Sequence, residues 1–114
     1  MPDEHAFSAA AEDERRLLGA LLALGEKGSS AVTEIDLGPG EFRTPDHSAV
    51  FRAVQTLAQW GVPPDRQAVM VRLVLGHGFD RARAERLVDT LLARAPRQPH
   101  LGEYARRIRA RRTS

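Results

Sequence analysis

Histidine and cysteine side chains are the first candidates for metal binding or nucleophilic catalysis in this sequence. A zinc site built from imidazoles needs a fixed spacing, such as two histidines four residues apart on one helix face. The four histidines lie at positions 5, 47, 77 and 100, so no two of them have that spacing. The chain contains no cysteine, which excludes a thiolate metal site, a disulfide and a cysteine nucleophile. We therefore expect no metal and no cofactor.

Carboxylates, serines and the single lysine show no catalytic pattern either. The acidic run of residues 12–14 lies near the predicted start of a helix, where negative charge complements the helix dipole. His47 is expected at the third position of another helix, as a local cap or a packing residue. The serines lack a nucleophile elbow, and Lys27 lies outside any GxxxxGK[ST] phosphate loop. An enzyme, and in particular an independent ATPase, is not expected.

A cluster of arginines near the C-terminus could bind phosphate groups or an acidic partner. Residues 103–114 carry five arginines against one acid, Glu103, whereas residues 1–14 carry five acids and no lysine or arginine. Two interpretations stay open: the guanidinium groups contact nucleic acid or an acidic segment, or they stabilise the negative end of the last helix and remain solvated. No aromatic residues are interleaved with them, so base recognition is not expected. These residues are Arg106, Arg107, Arg109, Arg111 and Arg112.

Trp60, the only tryptophan, is a second candidate contact for a partner. It precedes Gly61, at the predicted end of a helix. An exposed tryptophan there would be an anchor of the kind that dominates protein interfaces. We favour the alternative, in which the indole ring closes the helix end over the core.

The composition of the chain indicates one small helical domain. A length of 114 residues suits a single core, which must be built mainly from leucine, valine, alanine and isoleucine because aromatic residues are few. The net charge is only +2, which gives little general attraction for nucleic acid. The first residues lack the basic start and apolar run of a secretory signal, and no apolar stretch approaches the length of a membrane span. We expect a cytoplasmic protein.

Apolar residues recur at helical spacing along most of the sequence, and no segment alternates long enough to predict a strand. We expect an all-α, compact orthogonal bundle of about five to six helices over residues 10–112, after a flexible acidic segment 1–9 and before a tail 113–114. The expected helices run from about Ala10 to Leu24, from Pro45 to about Trp60, from the cap Asp65 to about Gly76, from the cap Asp80 to Pro96 and from about Leu101, with a single helical turn within 30–35.

The segment 42–51 predicts the start of the third helix and has a recognisable pattern. Thr44 can cap the free amides of the helix, Pro45 suits its first position, and Asp46 complements the dipole. The pattern Phe-x-x-Pro-x-His-x-x-Val-Phe is similar to the start of the third helix in the N-terminal domain of DnaB-type replicative DNA helicases. This resemblance gives the first indication of a function.

Four more segments resemble motifs of the same family, so that the resemblance spans about residues 12–112. Their order along the chain agrees with that in the family. Residues 14–22 resemble the opening acidic helix with its LGALL motif, residues 39–42 the PEDF turn, residues 62–65 the PIDL segment, and residues 103–108 the EYYARIV helix.

The resemblance implies a small helical bundle without catalytic residues. In the family this domain forms the collar of the hexameric helicase and binds primase. The resemblance therefore implies a protein-interaction role in DNA replication, with the replicative helicase, primase or a loader as partner. The RecA-like motor of the family is missing from the sequence, so helicase activity is not transferred. The sequence stops inside the first arm of the helical hairpin through which family members pair, and we expect a monomer or weak homodimer.

Two other hypotheses stay open. The chain could be an adaptor that binds DNA or RNA non-specifically through its arginine-rich C-terminal helix, or it could be a relic fragment of a longer helicase. The C-terminal region of bacterial primase has a similar bundle, so the chain could instead be related to this region of primase.

Overall fold

Six α-helices joined by short connections make up the part of the domain that the structure describes. The computed structural model describes residues 2–35, 37–97 and 100–113, with side chains for residues 10–35, 37–97 and 100–110. This part of the chain contains no strand, so the predicted all-α bundle is confirmed, and none of its helices is long and apolar enough to cross a membrane. The elements are α1 Pro2–Leu24, α2 Glu26–Glu34, a 3₁₀ turn Pro39–Glu41, α3 Pro45–Gln59, α4 Arg66–His77, α5 Arg81–Ala93 and α6 Leu101–Thr113.

The first helix begins at Pro2, well before the predicted start near Ala10. The prediction relied on the apolar repeat, which is weak before Ala10, but alanine at positions 6, 9, 10 and 11 also favours a helix. The backbone of residues 2–9 continues α1 towards the N-terminus. As a consequence, the acidic run 12–14 lies inside α1, and its predicted place at the helix start is wrong.

The second helix is longer than the single turn that the sequence predicts within residues 30–35. Gly25 separates α1 from α2 with a φ of 58°, which lies in the left-handed region that favours glycine. Gly28 does not end a helix; it is buried inside α2, where the carbonyl oxygen of Leu21 occupies the place of a side chain. α2 therefore follows α1 almost directly and packs against it.

Local capping accounts for the starts of α4 and α5. The carboxylate of Asp65 accepts a hydrogen bond from the amide of Ala68 at 2.9 Å, and the carboxylate of Asp80 accepts one from the amide of Arg83 at 2.7 Å. Both predicted caps are confirmed. The ends of α3, α4 and α5 fall within about three residues of the predicted positions.

The centre of the bundle is α1, which packs against α2, α3, α5 and α6, while α4 packs against α3 and α5. Helices α1 and α5 approach closely at Gly19, where a Cβ atom would collide with the carbonyl oxygen of Leu91. The core therefore depends on a small residue as well as on large ones. The most deeply buried apolar side chains include those of Leu17, Leu18, Leu21, Val50, Phe51, Val54, Leu73 and Leu91.

Candidate interaction surface

Four large apolar side chains are exposed next to one another at the end of α3 and on the outer face of α4. Trp60 is 60% exposed, Val62 37%, Val71 42% and Leu75 76%. All four line one shallow cleft of about 490 Å³, and we name this continuous surface the α4 patch. Exposed apolar side chains are common singly, but a contiguous group of them marks an interaction site.

The sequence of α4 places apolar side chains on two faces of the helix. Its core face is buried, whereas Val71 and Leu75, which are one helical turn apart, lie on the outer face. These two residues form a ridge with the first cleft on one side. A second cleft, of about 310 Å³, lies on the other side of the ridge. Its lining includes Met70, Val71, Val74, Leu75 and Arg81.

The end of α3 places Trp60 on the surface. Leu57, three residues earlier, is buried and fills the position over the core. The chain then turns at Gly61, which has a φ of 73°, and the amide of Val62 donates a hydrogen bond to the carbonyl of Leu57 at 2.9 Å. The interpretation in which the indole ring closes the helix end over the core is therefore wrong.

Arg72 lies within the same surface, against Trp60. Its guanidinium carbon is 4.9 Å from the centre of the indole ring, which is a cation–π distance. The side chain extends over Gly76, where a Cβ atom would lie 2.5 Å from Nη2. The Nε of Arg72 is buried and has no hydrogen-bond acceptor among the described residues. Arg72 is thus a positive charge held among apolar side chains.

The surroundings of the α4 patch are basic. The pKa of His77, at the end of α4, is lowered. Burial is the largest cause, and the positive charges of Arg72 and then Arg52 contribute less. Asp65 is the only acidic residue between positions 47 and 79, and its carboxylate caps α4. Positive charge therefore flanks the exposed apolar side chains.

Two of the C-terminal arginines that the sequence offers as phosphate contacts are engaged with carboxylates of the domain. Arg107 lies 2.6 Å from Glu103 and 3.2 Å from Asp13, and Arg109 lies 3.4 Å from Glu41. The hydrogen bond from Arg107 lowers the pKa of Glu103 and raises that of Arg107 itself. These contacts join α6 to α1 and to the 3₁₀ turn.

The other candidate arginines do not complete a patch with Trp60. Arg106 lines a cleft of about 380 Å³ between the end of α2 and α6, whereas Trp60 lies on the surface formed by α3 and α4. The side chains of Arg111 and Arg112 lie outside the described residues. The structure therefore separates the two groups of candidate contact residues.

A buried polar cluster joins α1 to the start of α3. Glu14, which is 1% exposed, accepts hydrogen bonds from the amides of Arg43 at 2.8 Å and Thr44 at 3.4 Å. Its carboxylate also lies 2.7 Å from Nδ1 of His47. Thr44 is the residue that precedes the first turn of α3, but its side chain makes no capping hydrogen bond, so the predicted side-chain cap is wrong. His47 is buried, as expected of a packing residue.

Sequence reasoning missed this cluster, although a signal for it exists. Glu14 lies four residues before Leu18 and seven before Leu21, so it shares their buried face once α1 is extended backwards. Its carboxylate is occupied by three neighbouring donors, which suits a structural link between helices. No group of three histidine or acidic side chains is placed to hold a metal ion in the part of the chain that the structure describes.

Comparison with known proteins agrees with this fold. The crystal structure of the N-terminal domain of DnaB helicase from Mycobacterium tuberculosis is similar, with 30% sequence identity and a TM-score of 0.74, over 90% of this chain and 69% of that chain. A search of the curated proteins finds no match. The family described as "DnaB-like helicase N terminal domain" matches residues 7–110. The resemblance drawn from the sequence motifs is confirmed: the chain belongs to the family of DnaB-like helicase N-terminal domains.

Proposed function

We propose that this domain is a non-catalytic protein-interaction module of DNA replication, which binds the replicative helicase, primase or a helicase loader. Membership of the DnaB-like family supports a role in a replication setting. The observation that carries the proposal is the α4 patch, because it offers a partner a preformed apolar surface on a regular helix.

The exposure of Trp60 and Leu75 supports a binding role in energetic terms. Moving a fully exposed large apolar side chain from water into a packed interface contributes about 1.5–3 kcal/mol, and in the free domain both side chains leave most of this free energy ungained. Tryptophan and arginine are also the side chains most enriched among the residues that dominate binding energy, and Trp60 and Arg72 lie together here. We propose Trp60 as a central contact with the partner.

The non-catalytic part of the proposal rests on the sequence. Helicase activity requires nucleotide hydrolysis, and the sequence contains no GxxxxGK[ST] phosphate loop. Non-specific nucleic-acid binding by the C-terminal arginines has less support than protein binding. Arg107 and Arg109 already contact carboxylates of the domain, which reduces the positive charge available to phosphate groups.

Calorimetric titration of the full chain with the replicative helicase, primase and loader of the same organism tests the proposal. We expect saturable binding of at least one of them at micromolar concentrations. Light scattering of the free chain is expected to report a monomer or a weak homodimer. If none of the three proteins binds at micromolar concentrations at which all are folded, the proposed function is rejected.

A further inference from the structure

We propose that the α4 patch binds an amphipathic helix of a partner protein, whose apolar face covers Trp60 and the Val71–Leu75 ridge and whose carboxylate pairs with Arg72. This inference rests on the proposed function in that the occupant is a protein. It adds the chemistry of the occupant: a helix with leucine-type side chains on one face and acidic residues beside them.

The first step of the argument is the position of Arg72. Its guanidinium group is confined between the Trp60 ring, 4.9 Å away, and the backbone at Gly76. The guanidinium group fits there only because Gly76 has no side chain. A Cβ atom at Gly76 would lie 2.6 Å from the guanidinium carbon. A long side chain that is ordered before binding loses less conformational entropy when the partner arrives.

The second step is the missing acceptor. Other arginines of the domain meet carboxylates, as Arg66 does with Asp89 and Arg83 with Asp46, in both cases at 2.6 Å. Arg72 has no such partner among the described residues, and its Nε lacks an acceptor. A planar guanidinium in a partly apolar setting forms strong paired hydrogen bonds with a carboxylate. No described carboxylate forms an ion pair with Arg72, and we assign this role to an acidic side chain of the partner.

The third step is the shape and charge of the surface. Val71 and Leu75 form a ridge between clefts of about 490 and 310 Å³, which suits side chains that repeat every three to four residues along a facing helix. Arg81 lines the second cleft and Arg72 lines the first. Arg52 adds to the positive charge that lowers the pKa of His77 at the end of α4. An acidic helix is attracted by this surface, and a basic helix is repelled.

Two synthetic helical peptides of about 18 residues, which is about five turns, provide the probes. Both carry leucines with helical spacing; one has glutamates beside them, and the other has glutamines at the same positions. Each is titrated into the full chain by calorimetry and by ¹⁵N NMR. We expect the glutamate peptide to bind at least about tenfold more tightly, with the largest shift changes in α4 and at Trp60.

Substitutions in the chain then test the individual contacts. Arg72→Gln should make the affinities for the glutamate and glutamine peptides about equal. Gly76→Ala should reduce the difference between the two affinities, because the added methyl group displaces the guanidinium group. Leu75→Asp should abolish binding of both peptides, and since Leu75 is exposed this change leaves the core intact. The matched control is Arg86→Gln, an exposed arginine of α5 outside the α4 patch, which should bind as the wild type does.

Several results would overturn the inference. These are failure of the glutamate peptide to bind, equal binding of the two peptides, a preference that survives Arg72→Gln, or shift changes that lie away from α4. A homodimer that Leu75→Asp converts to a monomer would show that a second copy occupies the patch, and would overturn it as well. If helicase, primase or loader binds but Arg72→Gln and Leu75→Asp have no effect, the inference fails and the proposed function stands. If the glutamate peptide binds as expected but helicase, primase and loader do not, the proposed function fails and the inference about the α4 patch stands.

Discussion

The carboxylate of Glu14 lies 2.7 Å from Nδ1 of His47, and this contact joins two helices across 33 residues of sequence. The same carboxylate accepts hydrogen bonds from the amides of Arg43 and Thr44, the two residues that precede α3, so α1 fixes the chain where it enters this helix. The helix that ends at the α4 patch is therefore held at its other end by α1.

Replacing Glu14 with alanine should strongly destabilise the domain. The change leaves two partly buried backbone amides without their acceptor and the buried imidazole of His47 without its polar partner, and breaking a buried polar pair by removing one partner costs about 3–5 kcal/mol. Urea denaturation followed by circular dichroism measures the loss. Glu12→Gln, which removes partly exposed ion pairs with Arg15, Arg16 and Arg94, is the control and should change stability by about 1 kcal/mol or less. Equal losses in the two variants would contradict a special role for Glu14.

Gly19→Ala should also destabilise the fold, although alanine is the better helix former. The added methyl group would meet the carbonyl oxygen of Leu91 in α5 and the backbone of Ala95 just after this helix, and separating them should cost about 1–3 kcal/mol. Gly102→Ala in α6 is the matched control, because no atom lies within 4 Å of the position of its Cβ. We expect its thermal midpoint to equal or exceed that of the wild type. A neutral Gly19→Ala would argue against close packing of α1 on α5.

Arg72→Gln should raise the pKa of His77 towards its ordinary value of 6.5. Burial lowers this pKa most, and the positive charge of Arg72 contributes next, ahead of that of Arg52. NMR titration of the imidazole Cε1 proton in the wild type and the variant measures the change. Arg86 is not among the charges that affect His77, so Arg86→Gln should leave the titration unchanged. An unaltered pKa in the Arg72 variant would contradict the arrangement of Arg72 beside this imidazole.

The same shift makes stability depend on pH in a defined direction. Since the pKa of His77 is lower in the folded chain than in the unfolded chain, the unfolded chain takes up the proton first as the pH falls below about 6.5. The domain should therefore lose stability from that pH downwards, towards the lower pKa of the folded state. His77→Asn should reduce this loss in thermal melts between pH 7 and pH 5. A variant with an unchanged pH profile would show that His77 does not contribute.

Substitution of Arg106, Arg107 and Arg109 by glutamine should change the affinity for a short DNA duplex by less than about twofold at physiological salt. Arg107 and Arg109 are engaged with carboxylates, so the cluster presents less free charge than its sequence indicates. Fluorescence anisotropy with a labelled duplex, over a range of salt concentrations, provides the measurement. Tight binding that decreases steeply with salt and is lost in the triple variant would instead favour the nucleic-acid adaptor hypothesis.

Features that depend on neighbouring residues were predictable, whereas features set by packing were not. The caps Asp65 and Asp80 act within three residues of sequence, so the sequence predicts them correctly. Glu14 belongs to an acidic run that resembles a solvated helix start, and its burial depends on the segment from residue 43 that packs against it. The exposure of Trp60 could not be predicted from the sequence either, because both Leu57 and Trp60 could fill the core position at the end of α3. The structure places Leu57 there.

Trp60 is the only tryptophan of the chain, and this residue is 60% exposed in the free domain. Indole emission moves to shorter wavelength when the ring leaves water, and the rest of the protein adds no tryptophan signal of its own. Fluorescence of the unlabelled domain thus reports directly on whether the end of α3 is covered. A screen of candidate ligands requires neither a dye nor a tag.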